Sequence, residues 1–181
     1  GISLRKYPGH EQFGHERYEA DIAMAADYLA SRYNAYPVLI PMQHPDDLPI
    51  LENVAAKMKS ECSVVRDKLN VSQTYDLISC MYMVLGMRLH ALVFSAVANV
   101  PMVGLVYDPK IQGFLDYINQ PSAGDVRQLE YENLLKLSIH VWENRDELSN
   151  QLAAIMPVLK EKAKENERVA VELINSSEEN S

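Results

Sequence analysis

The stretch Tyr82–Leu115, YMVLGMRLHALVFSAVANVPMVGLVYDPKIQGFL, decides the fold. Tyr82–Leu85 reads as a strand, and Gly86–His90 as a turn or strand-to-helix junction. Ala91–Ala98 is nearly all apolar and reads as a buried helix. Pro101 opens a second strand, PMVGLVY. Asp108-Pro109 then supplies a helix cap followed by proline at the first helical position, for a helix to about Tyr117. The charge-free run Ala91–Tyr107 contains Asn99, Pro101 and Gly104, so a broken helix and a buried strand explain it better than a membrane span. Two strands joined through a buried helix are the repeating unit of a parallel sheet.

Working outward, the same alternation recurs. Ile2–Leu4 is a short strand, and Arg5–Phe13 a polar loop. Glu16–Tyr33 reads as a helix with Tyr18, Ile22, Ala25, Leu29 and Tyr33 on one face. Pro37–Met42 is a compact strand that Pro41 either ends or confines to an edge. Asp47 is placed to cap a helix over Ile50–Met58. Cys62–Val65 is a further strand, and Ser72 can cap a helix to about Met81. From Tyr131 the apolar positions Leu134, Val141, Leu148 and Ile155 predict one long helix with a bend near Pro157. The sequence thus predicts an α/β fold: a Rossmann-like, mainly parallel sheet sandwiched by helices. Residues 1–130 form the core, 131–175 a helical extension packed on it, and 176–181 a flexible tail.

The chain has 181 residues, 48% of them hydrophobic and 23% charged, which is ordinary for a globular domain. Its formal charge of −8 argues against a general nucleic-acid binder. Only Cys62 and Cys80 are present, so no disulfide framework exists, and a reducing compartment is expected. No secretion signal opens the sequence. An initial Gly1 running straight into a strand suggests a processing boundary within a longer protein.

In parallel sheets ligands bind outside the carboxyl ends of the strands, so the junctions after Leu4, Leu85 and Tyr107 carry the chemistry. At the second, Arg88 and His90 precede an apolar helix whose amino end favours an anion. If both side chains touch one ligand, Arg88-Leu89-His90 should be extended, with Leu89 turned into the core. Arginine suits carboxylate or phosphate, and histidine can exchange a proton near neutral pH. The competing readings are a salt bridge for Arg88 and a hydrogen-bonded core histidine for His90. At the third junction, Lys110 sits near the positive end of a helix, where a bound anion would compensate it. The alternative is pairing with Asp108 or Asp116, and Tyr107 reads as packing. After the first strand, Arg5 can bind a second acidic group, with Lys6, His10 and His15 nearby. Neither those histidines nor the His44-Pro45-Asp46-Asp47 turn has convincing metal-ligand spacing, and no metal or cofactor is expected. Walker and Gly-x-Gly-x-x-Gly loops are absent, and Ser95 lacks an identifiable base.

GMRLHA followed by VPMVGLVYDPKIQGFL, with SLR near the amino end, resembles the polysaccharide pyruvyl transferase family, most closely the bacterial branch acting on secondary cell-wall polysaccharide. The resemblance spans about Ile2–Tyr117 and implies the carboxyl-terminal domain of a two-domain, GT-B glycosyltransferase-like fold. The amino-terminal domain, with the family's acidic catalytic residue and much of the acceptor side, would then be absent. The family usually has an acidic residue before the strand leading into GMRLH, where this chain has Tyr82. The implied donor is phosphoenolpyruvate and the implied acceptor a lipid-linked, N-acetylmannosamine-containing saccharide. The product is a cyclic pyruvyl ketal of the kind that helps retain surface-layer proteins. A cytoplasmic location at the inner face of the plasma membrane follows, with peripheral association to membrane-bound substrate. Arg5, Arg88, His90 and Lys110 would bind the donor, His90 also acting as acid/base. The competing functions are a nucleotide-sugar glycosyltransferase-like domain, which needs a nucleobase pocket, and a noncatalytic carbohydrate- or partner-binding module.

Overall fold

The computed structural model describes residues 1–6 and 15–178. In chain order the elements are β1 (Ile2–Ser3), α1 (His15–Tyr33), β2 (Val38–Leu39), α2 (Leu48–Lys57), β3 (Ser63–Val64) and α3 (Val71–Ser79). They continue as β4 (Val84–Gly86), α4 (Leu89–Val97), β5 (Met102–Val106), α5 (Pro109–Tyr117), β6 (Ser122–Asp125), a 3-10 turn (Val126–Gln128), α6 (Tyr131–Glu143) and α7 (Arg145–Glu178). The strands form one six-stranded parallel sheet in the order β3-β2-β1-β4-β5-β6. Winding runs outward from β1 to β3, then returns to the other side of β1 with β4. The reversal lies between β1 and β4, where Ser3 pairs with Gly86.

Strand alternation divides the core between the two faces. Ile2, Leu4, Leu85, Met87, Val103 and Leu105 join the cluster that includes Ile22, Leu51 and Leu134 of α1, α2 and α6. Val84 and Met102 join the opposite cluster, with Leu92 of α4, Leu115 of α5 and Leu152 of α7. On that second face Gly86 and Gly104 stand opposite one another in the register. A Cβ at Gly86 would lie 2.4 Å from Leu92 Cδ2, and one at Gly104 would lie 2.1 Å from Leu115 Cδ1. The two glycines therefore let α4 and α5 lie close against the strands that feed them.

Each of α4 and α5 stops in the same way. Asn99 and Asn119 take φ of 57° and 54°. Val100 N donates to Ser95 O (2.8 Å) and Asn99 N to Ala96 O (3.0 Å), and Gln120 and Asn119 repeat the pair on Leu115 O and Asp116 O. This is the Schellman termination, with asparagine in the left-handed position. Pro101 and Pro121 follow two residues later, and a strand begins after each.

Several boundaries differ from the sequence expectation. α3 is capped by Asn70 rather than Ser72: Asn70 and Gln73 form a reciprocal capping box, with 2.9 Å bonds in both directions. β2 lies inside the sheet, so Pro41 ends it and does not mark an edge. β6, which the sequence reading left out, forms an edge. The long terminal helix is broken at Asn144 and continues through Pro157. Before the break, α6 buries Leu134 and Val141 on one face of the sheet; beyond it, α7 buries Leu152 and Met156 on the other. Leu148 of α7 still joins the first cluster, so the chain rounds the sheet between Asn144 and Leu152; just before the break the rings of Tyr82 and Trp142 pack with centres 4.3 Å apart.

Candidate functional site

The carboxyl edge is built first by β1 and β4. Ser3 pairs with Gly86, and Met87 N donates to Ser3 O at 2.8 Å. Two residues further along these adjacent strands stand Arg5 and Arg88, side by side at the winding reversal. Leu4 and Met87, buried on the α1 face, anchor the strand ends just before them.

Arg88 is the N-cap residue of α4, with extended backbone (φ −79°, ψ 123°). Its side chain does not cap the helix. It reaches across to Asp47, at the start of α2: Nε donates to Oδ2 at 3.0 Å, and Nη2 donates to Oδ1. Asp47 is 1% exposed and Arg88 13%. Asp47 Oδ2 also accepts from Met42 N (3.1 Å) and Gln43 N (2.9 Å). Asp47 therefore occupies the N-cap position of α2, as expected, but its carboxylate makes no cap hydrogen bond and serves Arg88 and the preceding turn instead.

Pulling apart a buried pair of this kind costs about 3–5 kcal/mol, so Arg88 stays where Asp47 holds it. Of its five N–H donors, Nε and one on Nη2 are used, leaving both on Nη1 and one on Nη2. The first amides of α4 have no intrahelical acceptor and no side-chain cap. Leu89 and His90 are already helical, which corrects the extended Arg88-Leu89-His90 expectation: only Arg88 is extended, and the chain turns into α4 directly after it. Leu89 is half-buried rather than a core residue, and His90 is exposed.

Arg5 is held differently. Nη1 donates to Tyr107 Oη and Nε to Lys6 O, both at 2.9 Å, and the guanidinium lies 4.8 Å from the centre of the Tyr107 ring. Both of these partners are neutral, and among the described residues no carboxylate pairs with Arg5. Tyr107 directly follows β5, and the next residue, Asp108, caps α5 by accepting from Lys110 N at 3.0 Å. Pro109 is the first helical residue, as the sequence implied. Lys110 Nζ lies 3.5 Å from Asp108 Oδ2, with side chains 55% and 37% exposed. An exposed pair of this kind contributes about 0–1 kcal/mol, so an anion can draw Lys110 away at little cost.

The structure therefore places Arg5, Arg88, His90 and Lys110 at the carboxyl ends of three neighbouring strands, β1, β4 and β5. Arg5 is tied to the third junction through Tyr107, and Arg88 to a fourth, after β2, through Asp47. Sequence reading gave Tyr107 a packing role and Asp47 a helix-cap role and assigned neither to the site. The carboxyl-edge rule applied to Met42–Asp47 would have found the second; nothing in the sequence signals the first. His10 lies outside the described residues. His44 Nε2 is 2.9 Å from Arg66 O, and among the described residues no group of three or more His, Cys, Asp or Glu could hold a metal. A largely apolar cavity of about 300 Å³ opens at the opposite, amino edge, between Ile2, Leu29, Tyr36, Met83 and Trp142. It offers no cationic side chain to an anion. Tyr82 belongs to that end, six residues before Arg88, so its departure from an acidic residue leaves the arginine edge untouched.

In parallel α/β sheets ligands bind outside the carboxyl ends of the strands at a winding reversal, and here the residues that follow those ends at β1, β4 and β5 include Arg5, Arg88 and Lys110. The chain belongs to the polysaccharide pyruvyl transferase family, an enzyme family whose model matches residues 2–109. Arg5, Arg88 and His90 fall within the match, and Lys110 stands one residue beyond it. No curated protein and no solved structure gives a significant match to the chain. Among the described residues no helix is long and apolar enough to cross a membrane.

Proposed function

We propose that this chain is the donor-binding domain of a phosphoenolpyruvate-dependent polysaccharide pyruvyltransferase. The observation that carries this reading is that Arg5 and Arg88 each stand two residues beyond the paired Ser3 and Gly86, at the reversal between β1 and β4, in a chain of this family. Phosphoenolpyruvate carries a carboxylate and a phosphate within one small molecule, and two guanidinium groups on neighbouring strands suit such a pair. The strand order is that of Rossmann-like sheets, in keeping with the carboxyl-terminal domain of a GT-B-like fold.

In the proposed reaction an acid protonates C3 of the donor and makes C2 electrophilic. One sugar hydroxyl attacks C2. The C2–O bond to phosphate breaks, and the second hydroxyl closes the cyclic ketal. Of the two hydroxyl protons lost, one replaces the proton given to C3, and the other leaves on inorganic phosphate. His90 is exposed at the first turn of α4 and is the proton carrier in this scheme. Lys110, loosely held by Asp108, follows the departing phosphate. No step calls for a metal or organic cofactor.

The acceptor is a sugar diol on a lipid-linked, N-acetylmannosamine-containing cell-wall saccharide, presented at the inner face of the plasma membrane. A preceding amino-terminal domain holds it against the donor edge. Residues 1–130 are the donor-binding core, and 131–175 a helical extension that clasps both faces of the sheet. The test is calorimetry with phosphoenolpyruvate. Arg88→Ala should weaken binding by about tenfold or more, the loss expected for charge-assisted hydrogen bonds. Unchanged affinity would remove Arg88 from the donor site. Binding of a nucleotide sugar in place of phosphoenolpyruvate would favour a glycosyltransferase-like domain instead.

A further inference from the structure

The geometry points to Asp47 as the residue that positions Arg88 for anion binding, a role that rests on the donor-site reading above. Asp47 has the means to act as a fixed clamp. Its carboxylate accepts from Arg88 Nε, Arg88 Nη2, Met42 N and Gln43 N. Three of these donors converge on Oδ2 and one reaches Oδ1, and at 1% exposure the carboxylate is turned away from solvent. Its own amide donates to Gln43 O at 3.0 Å, which folds the Met42–Asp47 turn around the side chain. The clamp is thus set by backbone and hands that rigidity to the guanidinium.

The grip is also selective. Engaging Nε and one side of Nη2 fixes the plane of the guanidinium and leaves Nη1 as its free end. A ligand approaching the β1–β4 reversal meets a donor group whose rotamer entropy is already lost, so less ordering is required on binding. The pair as a whole is neutral, whereas the hydrogen-bond partners of Arg5 among the described residues are the Tyr107 hydroxyl and the Lys6 carbonyl. The work divides between them: Arg5, which no carboxylate among the described residues pairs, supplies positive charge, and Arg88, through Asp47, supplies direction.

This division gives a test with a sign. Asp47→Asn removes a negative charge beside an anion site, and charge alone would make phosphoenolpyruvate bind more tightly. Loss of orientation predicts the opposite, about a tenfold weakening, the size of a lost charge-assisted hydrogen bond. Calorimetry is run with phosphoenolpyruvate and, separately, inorganic phosphate on the parent, Asp47→Asn, Arg88→Lys and the double variant. Weakening by Asp47→Asn in the parent, and less than about twofold in the Arg88→Lys background, is the expected result; such coupling is what a double-mutant cycle isolates. Equal weakening in both backgrounds would show that Asp47 does not act through Arg88. Unchanged or tighter binding in Asp47→Asn, with Arg88→Lys impaired, would overturn the clamp and leave the donor site standing. A parent that binds neither probe would remove the donor site and the clamp together.

A second measurement needs no variant at Asp47. In ¹⁵N-labelled parent protein, the Arg88 Nε–H resonance, assigned by its loss in Arg88→Lys, should exchange slowly with solvent. It should remain protected when phosphoenolpyruvate is added, because the ligand takes Nη1 while Asp47 keeps Nε. Fast exchange in either state would mean that Arg88 leaves Asp47, and the proposal would be wrong.

Discussion

Gly104 and Gly86 act by lacking a side chain at two places where a helix crosses the sheet. At Gly104 a methyl group would meet Leu115 Cδ1 at 2.1 Å, Cδ2 at 2.9 Å and Cγ at 3.0 Å, so the whole end of that leucine is in the way. Leu115 is fully buried and has no open direction in which to swing. Gly104→Ala should therefore destabilise the protein by about 1–3 kcal/mol, the usual cost of overpacking a filled core. Urea unfolding would show this as a lower midpoint with unchanged slope. Trimming the obstacle should relieve it, so Gly104→Ala combined with Leu115→Ala should cost less than the sum of the two single changes. Full additivity would mean that the two residues do not compete for the same space. Gly86 stands in the same relation to Leu92, whose Cδ2 would lie 2.4 Å from a new Cβ. The consequence for function is positional: α4 begins at Arg88 and α5 just before Lys110, so helices pushed off the sheet would carry both cations outward.

Among the elements, the joint between α1 and the turn after α2 has an acid-sensitive fastening. Asp27 accepts from Lys59 N, Ser60 N and Ser60 Oγ, at 2.7–3.0 Å. Burial alone pushes the Asp27 carboxyl up, but the hydrogen bonds from Ser60 and Lys59 and the Lys59 charge outweigh it and hold the group below its ordinary value. A carboxylate with a depressed folded value contributes stability that is complete above its unfolded value, about 3.9, and is lost as pH falls through the folded one. Asp27→Asn should consequently lower the melting temperature at neutral pH, and the gap from the parent should close below about pH 4. A gap independent of pH would assign the effect to shape rather than to charge. Other joints show what the sequence could convey. Asp108-Pro109 was legible because cap and first-turn proline are local chemistry. β6 was missed because SAGD has no β-branched or aromatic residue, and because an edge strand is selected by its neighbour rather than by its own propensity. A signal was nevertheless present: Asn119-Gln120-Pro121 repeats the spacing of Asn99-Val100-Pro101, which leads into β5. The break at Asn144 was only partly legible: Asn144 and Arg145 interrupt a clean seam, but the apolar stripe resumes at Leu148, and the change in the surface it faces is a matter of tertiary packing. Arg88, His90 and Lys110 could be placed at strand ends from pattern alone. That Asp47 would hold Arg88 could not, because they are distant in sequence and meet only once β2 and β4 flank β1.

For the molecule as a whole, the arrangement of charge bears on what the chain can do alone. Its net charge is −8, yet Arg5, Arg88 and Lys110 are gathered at one edge of the sheet. A negative molecule with a small basic edge suits a compact anionic donor better than a long polyanion, whose remaining charges would be repelled. Donor binding is only half of ketal formation, because two hydroxyls of the sugar must also reach C2 in near-attack geometry, and holding them there is worth orders of magnitude in rate. In the proposed two-domain cleft that task falls to the preceding domain. The measurement is phosphate release together with ketal formation on a free sugar acceptor, comparing this chain with a longer chain that carries the matching amino-terminal domain. The longer chain should turn over and this one should not, although both bind phosphoenolpyruvate. Equal turnover by this chain alone would show that the carboxyl edge suffices to orient the diol. In the longer chain, His90→Gln keeps a hydrogen-bonding side chain at the first turn of α4 but cannot carry a proton at neutral pH. It should lower kcat by about 10²–10⁴-fold, the range of a lost general acid or base, with little change in donor affinity. Weaker donor binding at unchanged kcat would instead make His90 a phosphate ligand, and the proton for C3 would then come from another group.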